Sequence, residues 1–309
     1  MVPIIEAKGL TKVYDNTTVV DNLNLEISEG QIFGFLGPNG AGKTTTILML
    51  MGLTEPTKGE ARIAGFNSTR EPIKVKRIAG YIPEKVGFYQ DLSATYNLMY
   101  TGRLNGLSDT KARQAVEQAL EKVGLQDRAN DLVGTFSKGM KQRMAIADIL
   151  VKNPRVAFLD EPTTGIDPAG ITQMLDLISQ IATENNMTII MSSHQLNQVE
   201  RICTHVGIMS KGKLIIDGSI NQLSKKAAAG KTQIEIQLAE ITQEIIDSIK
   251  EIKGVTKVER HEDLLIVSCS EDLRRQISRA IQEKDGLVIQ MKLQSYALED
   301  IYLKYFREA

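Results

Sequence analysis

The chain has 309 residues, 42% of them hydrophobic and 24% charged, and its Lys+Arg 37 offset its Asp+Glu 38 to a net charge of −1. This composition excludes a disordered, collagen-like or membrane-embedded chain, and the balanced charge leaves no overall basic footprint for nucleic acid or anionic lipid. At about 150 residues per domain the length suggests roughly two domains.

The two cysteines, Cys203 and Cys269, stand far apart without CxxC or His-rich spacing, which argues against a disulfide scaffold or a zinc site and fits a reducing compartment. No apolar run reaches about 18 residues, and the N-terminus carries Glu6 where a signal peptide would be apolar. A cytoplasmic chain that does not itself cross a bilayer is expected.

Residues 4–36 read as strands, with Val19, Leu23, Leu25 and Ile27 in loose alternation and a turn at Glu29-Gly30. Gln31–Leu36 is a short apolar strand that runs into glycines, and Thr44–Leu53 reads as a buried helix. Glu60–Ile63 and Ile78–Ile82 are further short strands. Residues 92–151 change character: Ala94–Arg103, Asp109–Val123 and Ser137–Val151 have helical periodicity and no strand pattern intervenes, so a helical insertion of about 85–152 is expected in a sheet domain. Strand–helix alternation then returns with strands at 155–160, 187–193, 205–210 and 213–218 and a helix at 168–184, the pattern of an α/β layered domain. Residues 224–231 (SKKAAAGK) read as a linker. Beyond them the order β-α-β-β-α-β over 232–293 suggests a small ferredoxin-like α+β unit, followed by an amphipathic segment at 296–307.

Gly37-Pro38-Asn39-Gly40-Ala41-Gly42-Lys43-Thr44 fits GxxxxGK[ST] between a strand and a helix. Glycines let backbone N–H groups turn inward around phosphate oxygens, and the helix beginning at Thr44-Thr45 adds its positive end. Lys43 would reach the β- and γ-phosphates, and the Thr44 hydroxyl would serve Mg²⁺. Val156–Glu161 places Asp160 at the C-terminal end of a buried strand, where α/β sheets bind ligands. Asp160 would hold Mg²⁺, usually through water, and Glu161 would polarise an attacking water; read alone, both are equally two solvated carboxylates.

Thr135–Arg143, with Ser137 a good helix N-cap and Gly139 allowing close approach, resembles the signature segment of ATP-binding-cassette (ABC) proteins, usually LSGGQ before a Gln-Arg stretch. Ser137, Gly139, Gln142 and Arg143 fit it, whereas Phe136, Lys138 and Met140 depart from its commonest form. Other segments resemble the same family in the same order. Tyr14 stands where an aromatic ring stacks on adenine, with an ordinary core aromatic as the lesser reading. Tyr81-Ile82-Pro83-Glu84 puts Glu84 where Gln is usual, keeping an oxygen for metal or water but adding charge. Gly165-Ile166-Asp167-Pro168 matches a dimer-contact turn, and Asp167 before a proline is also a good N-cap. Ser192-Ser193-His194 matches the switch histidine, which in the family contacts the γ-phosphate. His205 and His261 have no such context.

The resemblance covers about 1–223. It implies a P-loop NTPase fold, with a RecA-like core, an antiparallel β subdomain and the helical insertion, that binds ATP and Mg²⁺. In the family, two cassettes pack head to tail, each nucleotide lying between Gly37–Thr44 of one chain and Ser137–Gly139 and Met140 of the other. Lys43, Glu161 and His194 would be the catalytic groups, and Thr44, Asp160 and Glu84 the metal-facing ones. The resemblance is to drug or sodium exporter-type ATPases with an accessory domain after the last strand. It implies a separate membrane permease, docked near 84–106 (Val86, Phe88, Tyr89, Leu92, Tyr96, Leu98), and a peripheral position on the cytoplasmic face of the membrane. The competing reading is a soluble ABC ATPase of translation or DNA repair, disfavoured by the single cassette and the neutral charge.

Overall fold

The computed structural model describes residues 3–223 and 232–294, together with Tyr302. Contacts divide the chain into two compact units, Met1–Ile220 and Asn221–Glu308.

The first unit opens with a long hairpin, β1 (Ile5–Tyr14) and β2 (Thr17–Ile27). Asp15 and Asn16 take left-handed φ values of 43° and 66° at its two-residue turn, a conformation that Asp and Asn tolerate best among side-chain-bearing residues. β4 (Lys58–Ile63) and the two-residue β5 (Phe66–Asn67) complete an antiparallel sheet of order β2-β1-β4-β5. Ile5, Ala7 and Leu10 alternate inward with Leu23, Leu25 and Ile27. They share one hydrophobic core with Phe33 and Phe35 and with Ile47 and Leu50 of α1 (Lys43–Leu50).

The second sheet has the order β10-β9-β3-β8-β7-β6. Its strands are β3 (Ile32–Leu36), β6 (Ala79–Ile82), β7 (Val156–Asp160), β8 (Thr188–Ser193), β9 (His205–Ser210) and β10 (Lys213–Ser219). All neighbours run parallel except the β9–β10 hairpin. Every residue of β3, β7 and β8 is buried, as expected for parallel strands covered on both faces. The register pairs Leu36 with Ser193 and Asp160 with Ser192. It therefore brings Gly37, Glu161 and His194, each one residue past its strand, to the same sheet end.

α3 (Ala94–Leu104), α4 (Asp109–Lys122) and α5 (Lys138–Lys152) pack on one another between β6 and β7. Each begins at a serine, Ser93, Ser108 or Ser137, whose hydroxyl accepts an N–H of its own first turn. The only β pairing in this insertion, among the described residues, is a single bridge between Ser93 and Leu132. Buried Asn97 binds the approach to it, accepting from Tyr89 N (2.9 Å) and donating to Tyr89 O (3.0 Å) and Ser93 O (3.0 Å). Leu98, expected on a docking surface, is instead fully buried; Tyr89, Leu92 and Tyr96 are exposed. It lies on the same face of α3 as Ala94 and Gly102, four residues either way, and that face turns inward.

Two seven-residue helices have no counterpart in the periodicity: α2 (Pro72–Ile78) and α7 (Leu196–Ile202). The helix α6 (Pro168–Glu184) matches its expected limits. α1 stops short of Leu53 because Gly52 takes φ 62° and Leu53 N turns back to Leu48 O.

In the second unit, β11 (Thr232–Leu238), α8 (Gln243–Lys250), β12 (Val255–His261), β13 (Leu264–Cys269), α9 (Arg274–Gln282) and β14 (Val288–Gln294) follow the β-α-β-β-α-β order. The sheet is antiparallel, β12-β13-β11-β14. Ile234, Ile236, Leu265 and Val267 meet Ile245, Ile249, Ile277 and Ile281 in its own core. The expected linker at 224–231 lies outside the described residues, as does the amphipathic segment at 296–307 apart from Tyr302.

Candidate active site

The turn from β3 into α1 is shaped by glycines that no other residue could replace. Gly37 has φ 155° and Gly42 φ 101°. A Cβ at Gly37 would stand 2.3 Å from Met209 O, and one at Gly42 would stand 2.7 Å from Val19 O. α1 begins at Gly42 with no side-chain cap, so its first-turn N–H groups remain available to an anion. A hollow of about 210 Å³ lies here, lined by Val19, Asn39, Gly40, Ala41, Gly42, Lys43, Thr44, Thr45, Glu84 and Glu161. Lys43 is only 6% exposed. Its ammonium donates to Gly37 O (2.7 Å) and Pro38 O (3.3 Å) and stands 3.6 Å from Glu161 Oε1.

At the end of β7 the chain turns sharply, with Glu161 at φ 49°. A non-glycine residue held there stores strain of about 1–3 kcal/mol and is kept by its surroundings. Ser192 of β8 is the chief restraint. Its hydroxyl donates to Asp160 Oδ1 (2.5 Å) and accepts from Glu161 N (2.9 Å). The Glu161 carboxylate is then aimed by two neighbours: Oε2 lies 2.9 Å from His194 Nδ1, and Oε1 faces Lys43 but is buried without a hydrogen bond. A buried acceptor left open beside a polar hollow suits a water molecule whose proton is to be drawn off. Tyr81, on β6, is pushed up to about 12 by burial and by the Asp160 charge, so its phenol stays neutral. Gln198 of α7 braces the same region, accepting from Thr163 Oγ1 (2.6 Å) and Ser193 Oγ (3.3 Å).

A second hollow of about 310 Å³ lies at the starts of α5 and α6 and is lined by Ser137, Gly139, Met140, Arg143, Ile166 and Asp167 among others. Ser137 caps α5 by accepting from Met140 N (3.2 Å), and Asp167 caps α6 by accepting from Gly170 N (3.2 Å). Arg143 and Gln173 are hydrogen-bonded across it. Among the described residues, none lines both hollows. Tyr14 lines neither: it is exposed at the end of β1, with Lys12 Nζ 4.7 Å above its ring. The structure thus gathers Asn39–Thr45, Glu84 and Glu161 around one hollow, with Asp160 and His194 behind it, and sets the signature residues apart.

Sequence reasoning missed the double role of Ser192 and the brace from Gln198. The first is visible only once β7 and β8 are paired. The second is a buried glutamine in a helix too short to show a period.

Among curated proteins, the bacitracin transport ATP-binding protein BcrA of Bacillus licheniformis is 38% identical over 305 residues, spanning 98% of this chain and 97% of that protein. The chain belongs to the ABC transporter ATPase family. The family model described as ABC transporter matches residues 20–164. The daunorubicin/doxorubicin resistance ATP-binding protein DrrA of Streptomyces peucetius is 32% identical, over 97% of this chain and 91% of that protein. Among solved structures, an ATP-binding subunit of an ABC transporter superposes with a TM-score of 0.66 at 29% identity, covering 72% of this chain and 92% of that one. The cassette cbiO1 from Clostridium perfringens also gives 0.66, at 26% identity, covering 74% and 96%. The fold is that of a P-loop NTPase cassette, and this ABC protein binds and hydrolyses ATP as the ATPase subunit of a transporter, not as a soluble relative.

Proposed function

We propose that two copies of this chain close head to tail around ATP, each nucleotide held between the glycine hollow of one copy and the Ser137–Gly139 hollow of the other. The observation that carries this reading is the separation of the two hollows on one chain. Each offers helix N-terminal N–H groups to an anion, and they share no lining residue among those described. A γ-phosphate bridging both favours the closed pair, and its loss on hydrolysis removes the bridge.

Within the chamber Lys43 offsets charge on the β- and γ-phosphates, Glu161 takes the proton of the attacking water, and His194 orients Glu161 from 2.9 Å. Tyr14 supplies an exposed ring for the adenine. The donors fit Mg²⁺, a hard cation that keeps several waters and takes few protein ligands. The Thr44 hydroxyl and the Glu84 carboxylate line the hollow, and Asp160 retains an oxygen beyond its bond to Ser192. Bound there, the ion would neutralise phosphate charge.

The permease is a separate membrane protein, and the cassette sits against it on the cytoplasmic face. No described helix is long and apolar enough to cross a membrane. Tyr89, Leu92, Tyr96, Tyr100 and Leu104 form an exposed apolar stretch on and before α3, with the Tyr89 and Tyr100 rings edge to face at 5.7 Å. Relatives named for bacitracin transport, linearmycin resistance and daunorubicin/doxorubicin resistance favour export of an antibiotic. Tyr96 is 67% exposed, so Tyr96→Asp is expected to leave the isolated chain's ATPase unchanged while abolishing co-purification with its membrane permease. Full retention of that permease would remove this face from the contact.

Complementation tests the composite chamber. A Lys43→Ala chain lacks the phosphate cation and a Ser137→Arg chain blocks the signature hollow. Each alone is expected to be inactive. Mixed, they form a pair with one intact chamber and regain hydrolysis. A mixture that stays inactive, while either variant mixed with wild type remains active, would contradict the arrangement.

A further inference from the structure

Gln142 on α5 is 1% exposed, and neither its Oε1 nor its Nε2 has a hydrogen-bond partner among the described residues. Every other buried side-chain amide in this unit is bonded, Asn67, Asn97 and Gln198 among them. An amide that is both buried and unpaired makes the resting fold less stable than a methionine of the same length would. A state that brings a donor and an acceptor to this amide would recover what the resting fold loses.

The helix geometry says where that bond would form. Gln142, Ala145, Ile146 and Ile149 share one buried face of α5. At the far end of this face, a Cβ on Gly80 of β6 would lie 3.2 Å from Ile149 Cγ1 and 3.2 Å from Pro154. α5 leaves through Pro154 into β7, which runs parallel to β6, so α5 runs antiparallel to β6. Seven residues back along the helix is about 10 Å. At about 3.3 Å per strand residue that height is three residues past Gly80, at Pro83-Glu84. Residues 83–88 form neither helix nor strand, and none takes part in a loop hydrogen bond among the described residues. The segment that leaves β6 and brings Glu84 to the nucleotide hollow is thus untied, and an unpaired donor–acceptor pair stands level with it.

We propose that Gln142 is a positioning residue that bonds the backbone of the Pro83–Val86 segment in the ATP-closed state and so fixes Glu84 at the phosphate hollow. The inference rests on the ATP-driven closure proposed above. It makes resting stability and turnover move in opposite directions, which a purely structural side chain would not do.

Gln142→Met and Gln142→Leu, each in the full chain, test it. Both are expected to raise the nucleotide-free thermal midpoint by about 2–4 °C. Turnover should fall roughly tenfold, with KM for ATP within about twofold of wild type, because the loss lies in positioning and not in ground-state binding. A midpoint that stays level or drops in both variants would show that the amide is already bonded at rest. Unchanged turnover would show that it takes no part in the cycle. Either result overturns the inference. ATP-dependent association of the wild type, measured alongside, reports on closure separately, since the variant-to-wild-type comparison is read on the same chain whether or not the copies pair.

Discussion

Glu161→Gln is expected to bind ATP at least as tightly as the wild type, to lose turnover by about 10²–10³-fold or more, and to accumulate as a closed pair in ATP. The substitution keeps the shape of the side chain and removes its charge and its capacity to take a proton. The wild-type carboxylate has one oxygen on His194 and one buried, unbonded oxygen at the hollow. The second is the acceptor that an attacking water needs. The same carboxylate stands 3.6 Å from Lys43, and both side chains are largely buried. Removing its charge leaves a buried ammonium short of a partner, which costs the nucleotide-free chain about 1–3 kcal/mol even after its two carbonyl partners are counted. The phosphates of ATP then restore a counter-charge, so the thermal shift on adding ATP should exceed that of the wild type. Hydrolysis at the wild-type rate would remove Glu161 from proton transfer, and an unaltered ATP-induced shift would remove its coupling to Lys43.

Ser192→Ala should be nearly as damaging, though Ser192 does not line the hollow. One hydroxyl holds two groups, the 2% exposed Asp160 carboxylate and the Glu161 N–H. Alanine leaves a buried anion one partner short and a buried donor with none, a loss of about 2–4 kcal/mol in urea unfolding. Glu161 also loses a restraint on its left-handed backbone, φ 49°, so turnover should drop by about 10²-fold. Ser192→Thr keeps the hydroxyl and should recover most of both. A loss of stability under about 0.5 kcal/mol in the alanine variant would show that the double hydrogen bond carries no weight.

Much of this centre is legible in the chain because its parts are local. Gly37–Thr44 needs only a strand before it and a helix after it. Pro168–Glu184 carries its own start, with Asp167 as cap and Pro168 in the first turn. β7 and β8 are short apolar runs that can only be buried. What periodicity does not reveal is anything requiring a neighbour in space. α2 and α7 are two turns each, too short for a 3.6-residue repeat to register, and α7 spends a buried position on Gln198, whose partners Thr163 and Ser193 lie in the turn after β7 and on β8. Leu98 reads as one more apolar residue of a docking stretch until α3 is placed and turns it inward. Ser192 stands two residues before His194 in sequence, yet its work is done across the sheet, at Asp160. The unpaired amide of Gln142 is likewise invisible until α5 is laid on β6.

The central claim is that a single chain holds only half of each reaction chamber. Specific ATPase activity measured over a wide range of protein concentration tests it most directly. A composite chamber predicts activity per chain that vanishes on dilution, rises steeply with concentration and levels off once pairs predominate. Constant activity per chain down to concentrations at which sedimentation shows only monomers would contradict it.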